Sequence, residues 1–421
     1  MRPRVPPLLR QPEFRRFWVG QGISQLGDQI SFLALPLAAV LALHAKAAQM
    51  GFLTAAALAP HLLLSLGVGA WVDRRQRKRR VMIAADLGRA ALLATVPLAY
   101  AFDALTIAQL YAVAFAHGAL SVFFEVAYPT VFLSTIEREQ LLDANGLLSV
   151  NRAFSFVAGP SLAGVLVQLL SAPVTLLCDG VSFLCSALAV SRLRSEELPV
   201  EPEEPARIRA RLFQGFGFIV RSAAYRASLF GTATLNLFNY VFWALFVLYA
   251  TRSLHVRAGT LGLVLGLAAF GGVVGAMVAP RLGRRIGVGP AFVLGCVLFP
   301  APLVLVPLAA GPHWFVLTLL ALAEFGSGVG VMILDINGNS ISTALTPDRL
   351  RARVTGAHRF VNYGVRPIGS VIGGALGGWV GLRPTLWIGT VGALAILLWV
   401  LPSPLPRLRD LPLEAGEGVP A

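Results

Sequence analysis

The sequence predicts an all-α integral membrane protein: twelve transmembrane helices in two pseudo-symmetric six-helix bundles. Three observations carry that expectation. Of 421 residues, 56% are hydrophobic and only 13% charged, with a mean hydropathy of +0.71. A soluble domain carries about 25% charged residues, so this chain lacks the polar surface to coat a water-soluble fold. The apolar residues also come in long runs, and about 20 of them span the roughly 30 Å of a bilayer core. Finally, the stretch from Ser134 to Pro160 returns in altered form from Ser342 to Pro367.

Breakers and charges delimit the runs. Helices are expected near 17–43, 50–72, 81–101, 107–133, 146–170 and 174–191, then near 228–250, 258–280, 289–310, 314–338, 356–380 and 385–401. Residues 1–191 thus form an N-terminal bundle and 228–405 a C-terminal one, with 406–421 as a tail. The intervening 192–227 is Pro/Glu-rich and then basic, which reads as a linker with one surface helix.

A net charge of +14 would ordinarily suggest nucleic-acid binding, but the basic residues lie in short clusters between apolar runs. That is how positive charge marks the cytoplasmic side of a membrane protein. The N-terminus, "RRQRKRR", the linker, "RLGRRIG", "PDRLRAR" and the C-tail all fall on one side. The other side offers little beyond Lys46, Arg252, Arg257 and Arg383. Both termini are therefore expected in the cytoplasm and the chain in the inner (plasma) membrane, as a monomer among lipids with no nucleic-acid partner. The basic start leads into an apolar segment too long for a cleavable signal peptide. Cys178, Cys185 and Cys296 sit inside apolar runs without metal-ligand spacing, as small buried side chains do.

The duplication runs at an offset near 210. Arg152 pairs with Arg359, Pro160 with Pro367, and Gly20 with Gly231, which sets Asp28 opposite Asn239. With six spans each, the two halves enter the membrane in the same orientation, a parallel repeat.

"GAWVDRRQRKRR" resembles the loop 2–3 signature of the major facilitator superfamily, Gly-x-x-x-Asp-Arg-x-Gly-Arg-Lys. Gly69, Asp73, Arg74, Arg77 and Lys78 match it, while Gln76 replaces the second glycine. "AGPSLAG", with Gly159, Pro160 and Gly164, resembles the antiporter motif of helix 5, although Ala163 departs from its paired glycines. "FRRFWVGQGISQLGDQISFLALPL", "FFEVAYP" and "CDGVSFLCSAL" are similar to the drug-exporter branch containing macrolide-efflux and enterobactin-exporter proteins. The resemblance covers essentially the whole chain. It implies alternating-access transport and, for this branch, export coupled to protons. It also implies that Asp73 faces the N-terminus of helix 11 as a latch when the cytoplasmic ends meet, a contact worth roughly 0.3–2 kcal/mol. Ala279 stands at the equivalent place, so the latch is expected on one side only.

An ionisable group at the bilayer centre costs at least about 2.5–3.5 kcal/mol on insertion scales, which makes each one a functional candidate. Asp28 lies in helix 1 beside Gln21 and Gln25, Glu125 and His117 in helix 4, and Glu324 in helix 10 near the repeat equivalent of His117. These four are candidates for proton coupling or substrate binding; each has packing as its plain alternative. Asp179 is expected near the outer end of helix 6, within reach of interfacial water, as a gate or packing residue. Arg152 and Arg359 either reach the cytoplasmic headgroups or pair with carboxylates, Arg152 with Glu125 or Asp86. Arg366 is deeper and needs a partner or an aqueous cavity. Gly159, Pro160 and Gly164 allow close helix packing and a kink.

The sequence contains no Walker loop, no His/Cys cluster and no Gly-x-Ser-x-Gly elbow, so neither ATP-driven nor enzymatic chemistry is expected, and no cofactor or metal, only the proton as coupling ion. The expected function is proton-coupled efflux of amphipathic small molecules such as drugs or a siderophore. The cargo would sit in a central cavity lined by helices 1, 4, 5, 7, 8, 10 and 11, with Phe124, Tyr240, Trp243 and Phe325 as apolar walls. An uptake symporter, a lipid flippase or a non-transporting membrane sensor of the same fold are the alternatives.

Overall fold

A chain that crosses hydrocarbon must satisfy every backbone N–H and C=O internally, and here it does so with helices. The structure, a computed structural model, describes residues 6–75, 77–194 and 214–410, without the side chains of Leu66, Ala70, Asp73, Asp348, Arg349 and Ala352. The helices are α1 (Pro12–Leu41), α2 (Ala47–Asp73), α3 (Lys78–Ala101), α4 (Ile107–Leu133), α5 (Leu141–Leu170) and α6 (Ala172–Ser191). There follow α7 (Ala223–Arg252), α8 (Ala258–Ile286), α9 (Val288–Leu308), α10 (His313–Leu345), α11 (Asp348–Trp379) and α12 (Leu382–Val400). Eleven of them are long and apolar enough to cross a membrane. The twelfth, α11, has 32 residues but opens on a basic stretch and ends glycine-rich, which lowers its hydropathy.

Two expected spans are not single helices. Pro300 and Pro302 each lack an N–H, and α9 passes through a 3-10 turn, Ala301–Val304, before resuming at Leu305–Leu308. α12 is likewise broken between Ala393 and Ile396. The expected linker ends earlier than 227, because a short helix at 214–221 leads directly into α7 at Ala223. Most of that linker, 195–213, lies outside the described residues, as does the tail beyond 410.

The duplication is written in the backbone. His44 after α1 and His255 after α7 both adopt a left-handed conformation, with φ of 51° and 53°. In both places the next residue donates back into the helix, Ala45 to Ala39 O and Val256 to Ala250 O, each at 2.9 Å. The one-residue break between α5 and α6 is Ser171 (φ 85°), and its counterpart between α11 and α12 is Gly381 (φ 94°). Glycine takes that conformation freely, whereas serine must be held in it by its surroundings.

The described residues divide into two compact units. Unit 1 takes those within Met1–Ala45, Ala56–Pro205 and Arg257–Leu263; unit 2 takes those within Lys46–Ala55, Ala206–Val256 and Val264–Ala421. In unit 1, buried Phe14, Phe17, Val72, Met82 and Phe132 belong to one apolar cluster. In unit 2, Phe292, Cys296, Leu334 and Ile396 form one apolar cluster. A second unites Ile219 of the short helix with Tyr225 of α7 and Val354 of α11.

Candidate functional site

A cavity of about 480 Å³ opens inside unit 1, lined by α1 to α5. α1 contributes Gln21, Ser24, Gln25, Asp28 and Gln29, one polar side chain every three or four residues on the same face. α4 contributes His117, Ser121, Phe124, Glu125 and Tyr128, while α2, α3 and α5 add His61, Arg89 and Arg152.

A buried ion pair forms part of the cavity wall. Arg89, 3% exposed, donates to Asp86, 0% exposed, one turn earlier on α3. The guanidinium lies over two aromatic rings, Phe183 at 4.0 Å and Phe124 at 4.6 Å, which solvate its faces. Its Nη1 is also 3.9 Å from Asp28 Oδ1 and 3.5 Å from Ser121 Oγ. Asp28, with 39% of its side chain exposed, is the carboxylate of this group that meets the cavity, beside Arg89 and Ser121.

Asp179 completes the cluster from α6. It is fully buried rather than near interfacial water, which corrects the sequence expectation; α6 starts at Ala172, so residue 179 lies two turns inside. Its Oδ1 accepts from Ser182 Oγ at 2.9 Å, and its Oδ2 has no hydrogen-bond partner among the described residues. The close approach depends on Gly27: a Cβ there would stand 2.0 Å from Ser182 Oγ and 2.3 Å from Asp179 Oδ1. Ligating atoms of Asp28, His117 and Asp179 all lie within 4.8 Å of one another, a spacing that could hold a cation. His117 packs its ring 5.6 Å from Phe183, and its Nε2 has no hydrogen-bond partner among the described residues. Gln21 Nε2, Gln25 Oε1 and Ser155 Oγ are likewise buried without a partner.

The pairings expected for Arg152 are not formed. Asp86 is taken by Arg89 on its own helix, and Glu125 stands 3.6 Å from His61 Nε2 at the cavity wall. Arg152 instead lines the cavity with an exposed side chain. Its repeat mate Arg359 is also exposed and forms no ion pair among the described residues.

In unit 2, Glu324 is 1% exposed on α10, and its Oε1 has no partner among the described residues. Arg366 donates from Nε to Asn236 Oδ1 at 3.1 Å and faces Tyr363 at 4.3 Å and Tyr240 at 5.4 Å, so its partners are an amide and two rings. Of the four expected aromatic walls only Phe124 lines the cavity described. Trp243 packs on Phe242 and Phe246, and Phe325 on Phe270.

The α5 motif is a close-packing surface. A Cβ on Gly159 would stand 2.3 Å from Gln29 Cβ, and one on Gly164 would stand 2.4 Å from Ala258 O. A Cβ on Gly262 would likewise stand 2.3 Å from the Pro160 carbonyl, so Gly159, Pro160 and Gly164 let α5 touch α1 and the start of α8, all within unit 1. Of the loop signature, Gly69 faces open space, Arg74 and Arg77 are exposed, and Lys78 is 4% exposed and donates to Thr130 Oγ1 at 3.2 Å. The side chain of Asp73 lies outside the described residues.

The Major Facilitator Superfamily matches residues 17–365 and, again, 228–420. The chain belongs to the major facilitator superfamily. As a member it is a multi-pass membrane transporter and not an enzyme. It is 28% identical over 412 residues to the multidrug efflux pump Tap of Mycolicibacterium fortuitum, covering 92% of this chain and 94% of that one. It is 25% identical over 283 residues to the staphyloferrin A transporter of Staphylococcus aureus, covering 62% and 65%. Among solved structures it shares the superfamily fold with a mutant of the nucleoside transporter NupG (TM-score 0.76, 11% identity, 93% and 99% covered). A bacterial homologue of the iron transporter ferroportin is similar too (TM-score 0.74, 16% identity, 94% and 99% covered).

Sequence reasoning missed Arg89 and His61 as parts of this superfamily member's site, and named Asp86 only as an alternative partner for Arg152. The signal available was an Asp and an Arg three residues apart inside an apolar helix, the spacing that lets two side chains meet.

Proposed function

We propose that this chain is a proton-driven exporter of amphipathic small molecules of the drug or siderophore type. It works by alternating access as a monomer in the inner membrane, both termini in the cytoplasm. The observation that carries the reading is the charge balance beside the cavity. Three carboxyl groups, Asp28, Asp86 and Asp179, gather around one guanidinium, Arg89, so the cluster lacks two positive charges if all three ionise. Charges buried in low dielectric must be neutralised locally. Protons supply that charge in one state, and a cargo group arriving at Asp28 can displace them in the other.

Within this reading Asp28 exchanges the proton at the cavity, while Asp179 and His117 hold it one step deeper. Arg89 positions Asp28. Glu125 with His61 polarises the wall, and Glu324 and Arg366 provide polar groups in the second bundle. Gly69, Asp73, Arg74, Arg77 and Lys78 hold the cytoplasmic latch, and Gly159, Pro160 and Gly164 keep α5 tight against leak. The names of the efflux and siderophore relatives support the cargo class.

Purified protein in liposomes with an imposed pH gradient, acid on the extracellular side, tests this with a lipophilic dye or drug. Export rises with the gradient, and Asp28→Asn abolishes the dependence while leaving downhill movement. Cargo movement indifferent to the gradient in the unmodified protein would end the proposal. The spacing of Asp28, His117 and Asp179 favours a second reading, a divalent cation as cargo, although Arg89 at 3.9 Å from Asp28 opposes it. Uptake of Mn2+ into the same liposomes that ceases in His117→Ala would select it.

A further inference from the structure

A second opening in unit 1 is built differently. It encloses about 790 Å³ between the ends of α2 and α3 and the side of α4. Its rim is Arg74, Arg75, Arg77 and Arg80, and aromatic side chains from two helices, Trp71 and Phe123, form its floor. The two rings meet edge-on, with centroids 5.5 Å apart at 90°, and the Arg75 guanidinium lies 4.3 Å over Trp71.

The basic knot from Arg74 to Arg80 is sorted by the fold. Lys78 turns inward to Thr130, and Arg79 donates to the Leu193 carbonyl. The other four arginines are exposed at the opening, and none has a carboxylate or hydrogen-bond partner among the described residues. No described carboxylate lines the space. Setting topology requires only that positive charge stay on one side of the membrane. It does not require four guanidiniums, none with a carboxylate partner among the described residues, around an aromatic floor.

Guanidinium groups bind phosphate oxygens in pairs of parallel hydrogen bonds, and an apolar floor beneath them accepts hydrocarbon. Basic pockets between transmembrane helices on the cytoplasmic side suit anionic headgroups. We infer that this opening binds an anionic phospholipid of the leaflet that meets the α2–α3 loop. The headgroup phosphate sits among Arg74, Arg75, Arg77 and Arg80, and an acyl chain lies over Phe123 and Trp71. The lipid would hold the ends of α2 and α3 together, and it does not depend on the proposed transport chemistry.

The test titrates full-length protein in detergent micelles with phosphatidylglycerol, phosphatidylcholine or inorganic phosphate, reading thermal unfolding and lipid adducts by native mass spectrometry. Phosphatidylglycerol raises the unfolding temperature and survives as a one-to-one adduct; phosphatidylcholine and phosphate do neither. Removing two guanidiniums in Arg74→Gln/Arg80→Gln weakens phosphatidylglycerol by roughly tenfold to thirtyfold. The control Arg284→Gln/Arg285→Gln, two exposed arginines at the end of α8, stays within about twofold, because diffuse charge is screened within a Debye length. Should the first variant fold poorly, Arg74→Lys/Arg80→Lys keeps the charge and loses the paired bonds, and weakens binding severalfold. Equal effects of the two lipids, equal losses in the two glutamine variants, or the same stabilisation by phosphate alone would each overturn the inference.

Discussion

Arg89→Met removes one partner of a fully buried ion pair and keeps a side chain of similar length. Asp86, 0% exposed, then remains with both oxygens unpartnered, since Oδ2 already lacks a partner among the described residues. Breaking such a pair costs about 3–5 kcal/mol. Two aromatic faces also lose their cation, about 1 kcal/mol each, although the methionine sulfur recovers part of that. The reciprocal change, Asp86→Asn, costs less, because Arg89 keeps Asp28 at 3.9 Å and its two rings. In the double variant Arg89→Met/Asp86→Asn the Asp86 charge is no longer stranded, so it is more stable than Arg89→Met alone, with a coupling of about 2–3 kcal/mol. At roughly 2 °C per kcal/mol for a chain of this size, Arg89→Met unfolds about 6–10 °C lower and the double variant regains about half of that. Circular dichroism melts in one detergent measure all four proteins. If the double variant is no more stable than Arg89→Met, the pair is not the buried structural element described here.

Gly118→Val places a Cβ 2.6 Å from the Ala57 carbonyl and forces α4 away from α2; overpacking of this kind costs about 1–3 kcal/mol, read as a lower melting temperature. Unchanged melting would mean that the two helices part at little cost. Glu324→Leu removes a buried carboxyl whose Oε1 lacks a partner among the described residues, and stabilises the protein by about 1–3 kcal/mol while proton-dependent transport falls. A drop in melting temperature would show that the carboxyl is well satisfied.

Much of the architecture was legible because hydrocarbon thickness sets helix length, and because any charge within a span stands out against its cost. Asp28, His117, Glu125 and Glu324 were singled out that way, and the first three line the cavity. Arg89 was not, and Asp86 was noted only as a partner for Arg152; both follow closely on the basic knot that ends at Arg80. Opposite charges three residues apart also offset each other in any local count of charge. The depth of Asp179 depended on Gly27, an approach between α1 and α6 that spacing along either helix does not encode. The breaks in α9 and α12 escaped for another reason: their residues are apolar throughout, and hydropathy does not register a lost backbone hydrogen bond.

The unpartnered amides and hydroxyl beside the cavity have a consequence for molecular choice. Gln21 Nε2, Gln25 Oε1 and Ser155 Oγ have no hydrogen-bond partner among the described residues, and an amide or a hydroxyl can turn to offer either a donor or an acceptor. A rigid donor-acceptor pattern rejects any guest that lacks the complementary one, whereas rotatable groups rearrange to match whatever arrives. Under the proposed export function, discrimination in this chamber then falls to size, greasiness and overall charge.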